Sequence, residues 1–179
     1  MKYSHASLPR APFIRVFVLA LFGACAATAS QAANTWVTDP SDFPSSPLCE
    51  SGEVTLWTCT ARRKTFSLCA ENGAVSHGVA IQYRVQDAHG KIVLRYPEPS
   101  RAAKTAFSYE CSANGDADVE FTIGQYHYAL VDPLRDVSFI SVVKGGREVS
   151  HLRCRQGNQS LQLNDTIALM HALGVPEPN

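Results

Sequence analysis

The sequence predicts a mainly β protein, an antiparallel sandwich or partly closed barrel of about 8–9 short strands with one C-terminal helix. Three observations predict this fold. Apolar and polar residues alternate in short segments such as 81–86 (IQYRVQ), which is typical of half-buried strands. Turns containing glycine separate these segments, and they are too short for the crossovers that parallel strands need. A helical pattern with capping residues comes near the C-terminus.

The first 32 residues have the pattern of a secretory signal peptide. Three basic residues precede an apolar run at 16–24 (VFVLALFGA), and small residues follow it up to Ala32. The run is shorter than the roughly 20 apolar residues that a membrane-spanning helix needs. We therefore expect residues 1–32 to be removed by cleavage, leaving a mature chain without a transmembrane segment.

Cys25 offers an alternative N-terminus. The residues FGAC at 22–25 resemble the end of a lipoprotein signal, in which the cysteine carries the lipid. Such signals usually have leucine three places before the cysteine. Here Phe22 takes that position and Leu21 lies one place further away. Ordinary cleavage after Ala32 is therefore favoured over lipidation of Cys25.

The charge balance limits the function classes. The 179 residues include 16 basic and 16 acidic side chains, and residues 1–32 contain three of the basic ones. The mature chain therefore has a net charge of about −3. This value argues against binding nucleic acid by neutralising its phosphates. The localisation we expect is periplasmic or secreted.

Residues 33–47 contain three prolines with several serines and aspartates, which predicts a flexible leader without a core of its own. A single β-rich domain is expected over 48–179. Its predicted strands are 53–60, 64–70, 79–86, 91–96, 105–111, 118–123, 125–131, 137–143 and 148–153.

The C-terminal helix is expected at about 165–173. Asn164 and Asp165 can cap its start, Gly174 fits the position just after its end, and Pro176 prevents its continuation. We expect this helix to cover an open end or face of the sheet.

Five cysteines remain once residues 1–32 are removed, and an oxidising compartment favours disulfides between them. There is no CxxC motif and no zinc-ligand spacing of Cys and His, so we expect no metal and no cofactor. Because five is odd, at most two bridges form within the chain. The disulfide candidates are Cys49, Cys59, Cys69 and Cys154, with Cys111 left over.

The predicted hairpin of 53–60 and 64–70 suggests one pairing. If Leu56 and Leu68 share the core face, simple alternation places Cys59 and Cys69 together on the other face. The expected bridges are then Cys59–Cys69 and Cys49–Cys154. Other connectivities stay open, because spacing alone does not determine pairing.

Arg62, Arg63 and Lys64 form a basic cluster at the predicted hairpin tip. The cluster is either a solvated turn or a protruding loop that contacts an acidic partner, and these three residues are our candidate partner contacts. No GxSxG, P-loop or GxGxxG motif is present, so no catalytic residue is assigned. An unfamiliar hydrolase would need a cavity where His127 or His151 meets a carboxylate or a serine.

Several short motifs are spread over roughly residues 48–154. They are LCESGE (48–53), Cys59, KTFSLCA (64–70), IQYR (81–84), YP (96–97), GQY (124–126), YAL (128–130) and Cys154. Together they resemble an uncharacterised family of small exported (periplasmic) proteins of Gram-negative bacteria, and this resemblance implies no catalytic residues.

Three functions are compatible with these observations. The first is a non-enzymatic, inhibitor-like module that binds a protein or an envelope component in the periplasm, by analogy with small periplasmic lysozyme inhibitors and immunity proteins. The second is a hydrolase with an unrecognised site. The third is a structural envelope protein that is lipid-anchored through Cys25.

Overall fold

Two antiparallel β-sheets form the body of the protein. The structure is a computed structural model that describes residues 35–37, 39–98, 103–155 and 160–178. Over these residues, the first sheet has four strands and the second has five, each in chain order. The strands are β1 (Glu53–Ala61), β2 (Lys64–Glu71), β3 (Ile81–Gln86), β4 (Ile92–Tyr96), β5 (Ser108–Cys111), β6 (Ala117–Ile123), β7 (Tyr126–Asp132), β8 (Phe139–Lys144) and β9 (Arg147–Arg153). The predicted mainly β class is confirmed, and over these residues the sheets do not close into a barrel.

The two sheets pack against each other through aromatic side chains. Phe121 of β6 contacts Tyr83 and Tyr96 of the first sheet, with ring centroids 4.9 and 5.2 Å apart. It also stacks on Tyr128 of β7 at 5.1 Å. Since each ring removes a large apolar area from water, these contacts hold the sheets face to face.

The connection between the sheets contains a short helix where a strand was predicted to begin. The fifth strand was expected from Thr105, but α1 (Ala103–Ala106) occupies this position and β5 starts only at Ser108. Both terminal alanines of α1 are buried. The Tyr96 hydroxyl also donates a hydrogen bond to the carbonyl of Ala106 at 3.3 Å. Tertiary packing therefore outweighs the local strand pattern here.

A β-bulge in β1 determines which way its cysteine points. The register with β2 pairs Trp57 with Leu68 and skips Leu56, although Leu56 and Trp57 are both fully buried. An extra residue reverses the alternation of the side chains that follow it. Cys59 therefore lies on the same face as Leu68, whereas Cys69, the next residue after Leu68, lies on the opposite face.

The disulfide pairing differs from the predicted pairs Cys59–Cys69 and Cys49–Cys154. The bridges are Cys59–Cys154 and Cys49–Cys69, with Cα atoms 5.1 and 5.4 Å apart. The prediction was wrong because it counted the alternation of β1 without the bulge. Cys59 faces the second sheet and meets Cys154, which directly follows β9. Cys69 faces outwards and meets Cys49 of the N-terminal segment, while Cys111 is unpaired.

The N-terminal segment packs on the domain. The prolines of residues 33–47 predicted a flexible leader without a core of its own. In the structure, the described part of this segment packs against the core of the domain. Val37 is buried, and the rings of Trp36 and Phe43 contact each other and pack against the core cluster. The Trp36 indole N–H also donates to the Glu71 carbonyl at 2.7 Å.

Arg84 of β3 binds Leu48 and Glu53, the first residue of β1, on the outer face of the first sheet. Its guanidinium donates two hydrogen bonds, of 2.6 and 2.8 Å, to the Glu53 carboxylate and a third of 2.7 Å to the Leu48 carbonyl. The side chain is buried. Such a bidentate pair with a further acceptor compensates much of the cost of burying the charge.

The predicted C-terminal helix is present as α2 (Asn164–Leu173), and it ends at Gly174 in the left-handed conformation. Asn164 and Asp165 lie inside its first turn and not at the predicted N-cap position. Leu163 occupies the N-cap position, and its side chain makes no capping hydrogen bond.

A buried carboxylate joins β7 to the chain before α2. Asp132 is fully buried and accepts hydrogen bonds from the Ser138 hydroxyl at 2.6 Å and the Leu161 N–H at 3.2 Å. Burial raises the pKa of Asp132 to about 6, although both hydrogen bonds act to lower it.

Peptide mapping without reduction tests the disulfide pairing. Glu50 and Glu53 separate Cys49 from Cys59, and the basic tip separates Cys59 from Cys69. Digestion with trypsin and a glutamate-specific protease therefore puts the four bonded cysteines on different peptides. We expect Cys49 linked to Cys69 and Cys59 linked to Cys154, with Cys111 open to alkylation. A peptide joining Cys59 to Cys69 would contradict the structure.

The raised pKa of Asp132 predicts a pH dependence of stability. The protonated form is favoured in the folded protein, so its contribution is fully present below about pH 4 and is lost as the pH rises through about 6. We expect the unfolding free energy of D132N to gain about 2 kcal/mol relative to the wild type between pH 4 and pH 7. Urea unfolding at both pH values measures this difference, and a pH-independent difference would refute the burial argument.

Candidate functional site

The candidate partner contacts lie on the tightest hairpin of the first sheet. Ala61 pairs with Lys64 across β1 and β2, so only Arg62 and Arg63 form the turn. Their φ angles are 46° and 63°, and two successive positive values are characteristic of a type I′ turn. We call Arg62, Arg63 and Lys64 the basic tip.

The turn of the basic tip is strained. Type I′ turns strongly favour Asn-Gly, because a side chain at positive φ meets steric resistance. A non-glycine residue in this region costs on the order of 1–3 kcal/mol. Neither Arg62 nor Arg63 has the short side chain that relieves this cost, so the surrounding structure must hold the turn in place.

Two contacts brace the hairpin immediately below the turn. The Cys59–Cys154 disulfide fastens β1 to the end of β9. The Arg155 N–H donates to the Thr60 carbonyl at 3.0 Å. The basic tip therefore projects from a point where the two sheets are joined covalently.

The charges of the basic tip are not neutralised within the described part of the chain. Arg62, Arg63 and Lys64 are exposed, and the ion pairs of the described residues do not include them. Arg153 offers a contrast, because it is also exposed but pairs with Asp136 at 2.7 Å. The structure thus brings the three predicted residues together as an unpaired positive group.

A second candidate site lies on the second sheet. A cleft of about 510 Å³ opens beside β6 and β7, and we call it the His127 cleft. Tyr96, Phe107 and Phe121 border it, but the Phe107 and Phe121 side chains are buried and the Phe121 ring points between the two sheets. Its polar lining comes from Lys104, Thr105, Ser108, Glu120, Thr122 and His127.

Three side chains in the His127 cleft form a hydrogen-bonded chain. Thr122 and His127 are direct cross-strand partners, and the Thr122 hydroxyl lies 3.2 Å from His127 Nδ1. On the other side of the ring, His127 Nε2 lies 3.2 Å from Glu120 Oε2. A hydroxyl, an imidazole and a carboxylate in this order can move a proton from the hydroxyl to the ring.

His151 has a carboxylate partner but no hydroxyl on its ring. Its Nδ1 lies 3.1 Å from Glu148 Oε1, and the Ser141 hydroxyl donates to that same carboxylate oxygen. The imidazole stacks on Phe139 with centroids 4.7 Å apart. Of the two histidines considered from sequence, only His127 combines a carboxylate, a hydroxyl and a cleft.

Glu120 and Thr122 were not identified from the sequence as partners of His127. The turn at Gly124 is the sequence feature that could have revealed these partners. A two-residue turn at 124–125 places Thr122 opposite His127. Glu120 then lies on the same face two residues earlier along β6.

Cys49, Glu53 and Cys69 bring potential metal-ligand atoms close together, but the two cysteines are bonded to each other. Ligand atoms of Cys49, Glu53 and Cys69 lie within 4.8 Å of one another. Both sulfurs belong to the Cys49–Cys69 bridge, so neither is the thiolate that a metal ion needs. The Glu53 carboxylate is also occupied by Arg84.

We find no match for this chain among family models, curated proteins or solved structures. Over the described residues, no helix is both long enough and apolar enough to cross a membrane. The resemblance to small exported proteins stays a prediction. The basic tip and the His127 cleft are the features that bear on function.

Replacing the turn of the basic tip tests its strain. R62N/R63G supplies the residues that a type I′ turn favours, so we expect its unfolding free energy to exceed that of R62Q/R63Q by about 1–2 kcal/mol. The glutamine variant removes the same two charges and keeps the strain, which makes it the matched control. Urea denaturation measures both, and equal stabilities would show that the turn stores no strain.

Proposed function

We propose that this chain is an exported periplasmic binding module, inhibitor-like in action, that inserts its basic tip into an acidic recess of a partner protein. One observation carries the proposal: two arginines occupy a strained turn that a disulfide braces from below. Strain of this kind persists where the surrounding structure supports it, and it is concentrated at functional sites.

The shape of the basic tip favours binding. A braced hairpin loses little conformational freedom when it binds, and preorganisation of this kind increases affinity. Arginine is also enriched among the residues that contribute most to binding energy, because its planar guanidinium pairs with carboxylates through two hydrogen bonds.

The charge of the basic tip indicates the chemistry of its partner. Arg62, Arg63 and Lys64 are exposed and without carboxylate partners among the described residues. Burial of such a group in an interface requires acidic groups on the other side. An acidic recess, such as an enzyme cleft containing two carboxylates, satisfies this requirement.

The compartment is part of the proposal. Two disulfides support an oxidising environment. The signal peptide over 1–32 and the alternative lipidation at Cys25 lie outside the described residues, so both stay predictions. Mass spectrometry of the mature N-terminus distinguishes a start at Ala33 from a lipid-modified Cys25.

Charge reversal at the tip tests the proposal. The oxidised wild type, R62E/R63E and R147E are immobilised and exposed to periplasmic extract, and each is added to a lysozyme assay. We expect a captured partner, or lysozyme inhibition, that R62E/R63E reduces at least tenfold. R147E is the matched control, because Arg147 is exposed at the opposite end of β9 from Cys154.

Two outcomes would contradict the proposal. One is a partner that binds R62E/R63E as well as it binds the wild type, since the basic tip would then lie outside the interface. The other is the absence of any captured partner and of lysozyme inhibition across repeated extracts.

A further inference from the structure

Beyond the proposed binding function, we propose that the His127 cleft is a catalytic site that hydrolyses small carboxylic esters. Thr122 is the nucleophile, His127 is the base, and Glu120 is a positioning residue for the imidazole. The inference rests on the hydrogen-bonded chain Thr122–His127–Glu120 and on the cleft into which it opens.

The geometry meets two requirements of nucleophilic catalysis. The nucleophile must share a hydrogen bond with its base, and the base must be oriented by a third group. Both distances are 3.2 Å, on opposite nitrogens of one ring. When Nε2 carries the proton and donates to Glu120, the lone pair of Nδ1 faces the Thr122 hydroxyl.

The reaction follows from this arrangement. The Thr122 oxygen attacks the ester carbonyl carbon while its proton passes to His127 Nδ1. The bond to the alcohol oxygen then breaks, and His127 returns the proton to the leaving alcohol. Water repeats these steps on the acylated Thr122, which releases the carboxylic acid and restores the hydroxyl.

The lining of the cleft indicates the substrate class. Most of its lining side chains are polar, and its volume of about 510 Å³ suits a small ester. Lys104 lines the same cleft and adds a positive charge to it.

Several charged side chains lie on the face of the second sheet that carries His127. β6 contributes Glu120 and, two residues earlier on the same face, Asp118, and β5 places Glu110 opposite Asp118. On β8 the residue opposite His127 is Val143, which does not titrate, and β9 places Glu148 opposite Val143. α1 contributes Lys104 to the cleft. Among these groups, Glu120 is the carboxylate within hydrogen-bond distance of the ring.

Hydrolysis of p-nitrophenyl acetate by the full mature chain tests the site. We expect turnover above buffer, with losses of about 100-fold or more in T122A and in H127Q. T122S is expected to keep activity, because serine supplies the same hydroxyl. H151Q is the matched control, since His151 has a carboxylate partner without a hydroxyl on its ring and should retain the wild-type rate.

Two further readouts separate catalysis from a structural role. E120Q should lower kcat at least tenfold and leave KM nearly unchanged, because Glu120 orients the imidazole and does not contact the ester. A fluorophosphonate probe should add its mass to Thr122 and not to Thr105. Circular dichroism confirms that each variant is folded.

Three results would overturn the proposal. They are a wild-type rate equal to that of buffer, a T122A variant that keeps the wild-type rate, and a probe that does not label Thr122. A rate lost in H127Q but kept in T122A would mean that an exposed imidazole hydrolyses the ester by itself. The assay contains the purified chain and no partner, so its outcome is independent of partner binding.

Discussion

The Cys59–Cys154 disulfide is the constraint on which the candidate binding surface depends. It joins an edge strand of the first sheet to the chain that leaves the last strand of the second. It also lies three residues before the strained turn at Arg62. Packing of Phe121 against Tyr83 and Tyr96 holds the sheets together over their faces, whereas the disulfide fixes the base of the hairpin. This turn conformation favours glycine. Without the covalent link, less of the surrounding structure would hold two arginines in it.

Much of the fold follows from local patterns in the sequence. Alternation and glycine turns predict the nine strands, because antiparallel hairpins between neighbouring segments require only local information. Gly174 similarly marks the end of α2. The bulge at Leu56 could not be predicted, since two adjacent apolar residues are compatible with either face of a strand. That single residue reverses the direction of Cys59 and changes both disulfides, so a small local irregularity has a long-range consequence.

The candidate sites were predictable to different degrees. The basic cluster at 62–64 is visible in the sequence because its consecutive charged residues stand where one predicted strand ends and the next begins. Its strain is not visible, because ordinary turn chemistry would place glycine or asparagine there. His127 was one of two histidines considered, but Glu120 and Thr122 depend on the exact register of β6 and β7. The N-terminal segment shows the same limit: Leu48 and Cys49 find their partners on β3 and β2, which are distant in sequence.

The disulfide should make the basic tip rigid before any partner binds. Backbone ¹⁵N relaxation of the oxidised protein and of C59A/C154A measures this rigidity directly. We expect order parameters of about 0.8 or above for the amides of residues 62–64 in the oxidised protein, falling below about 0.6 in the variant. The turn at 144–147, at the far end of β9, should be unaffected. Values below about 0.6 at residues 62–64 in the oxidised protein would show that the disulfide does not hold the tip rigid.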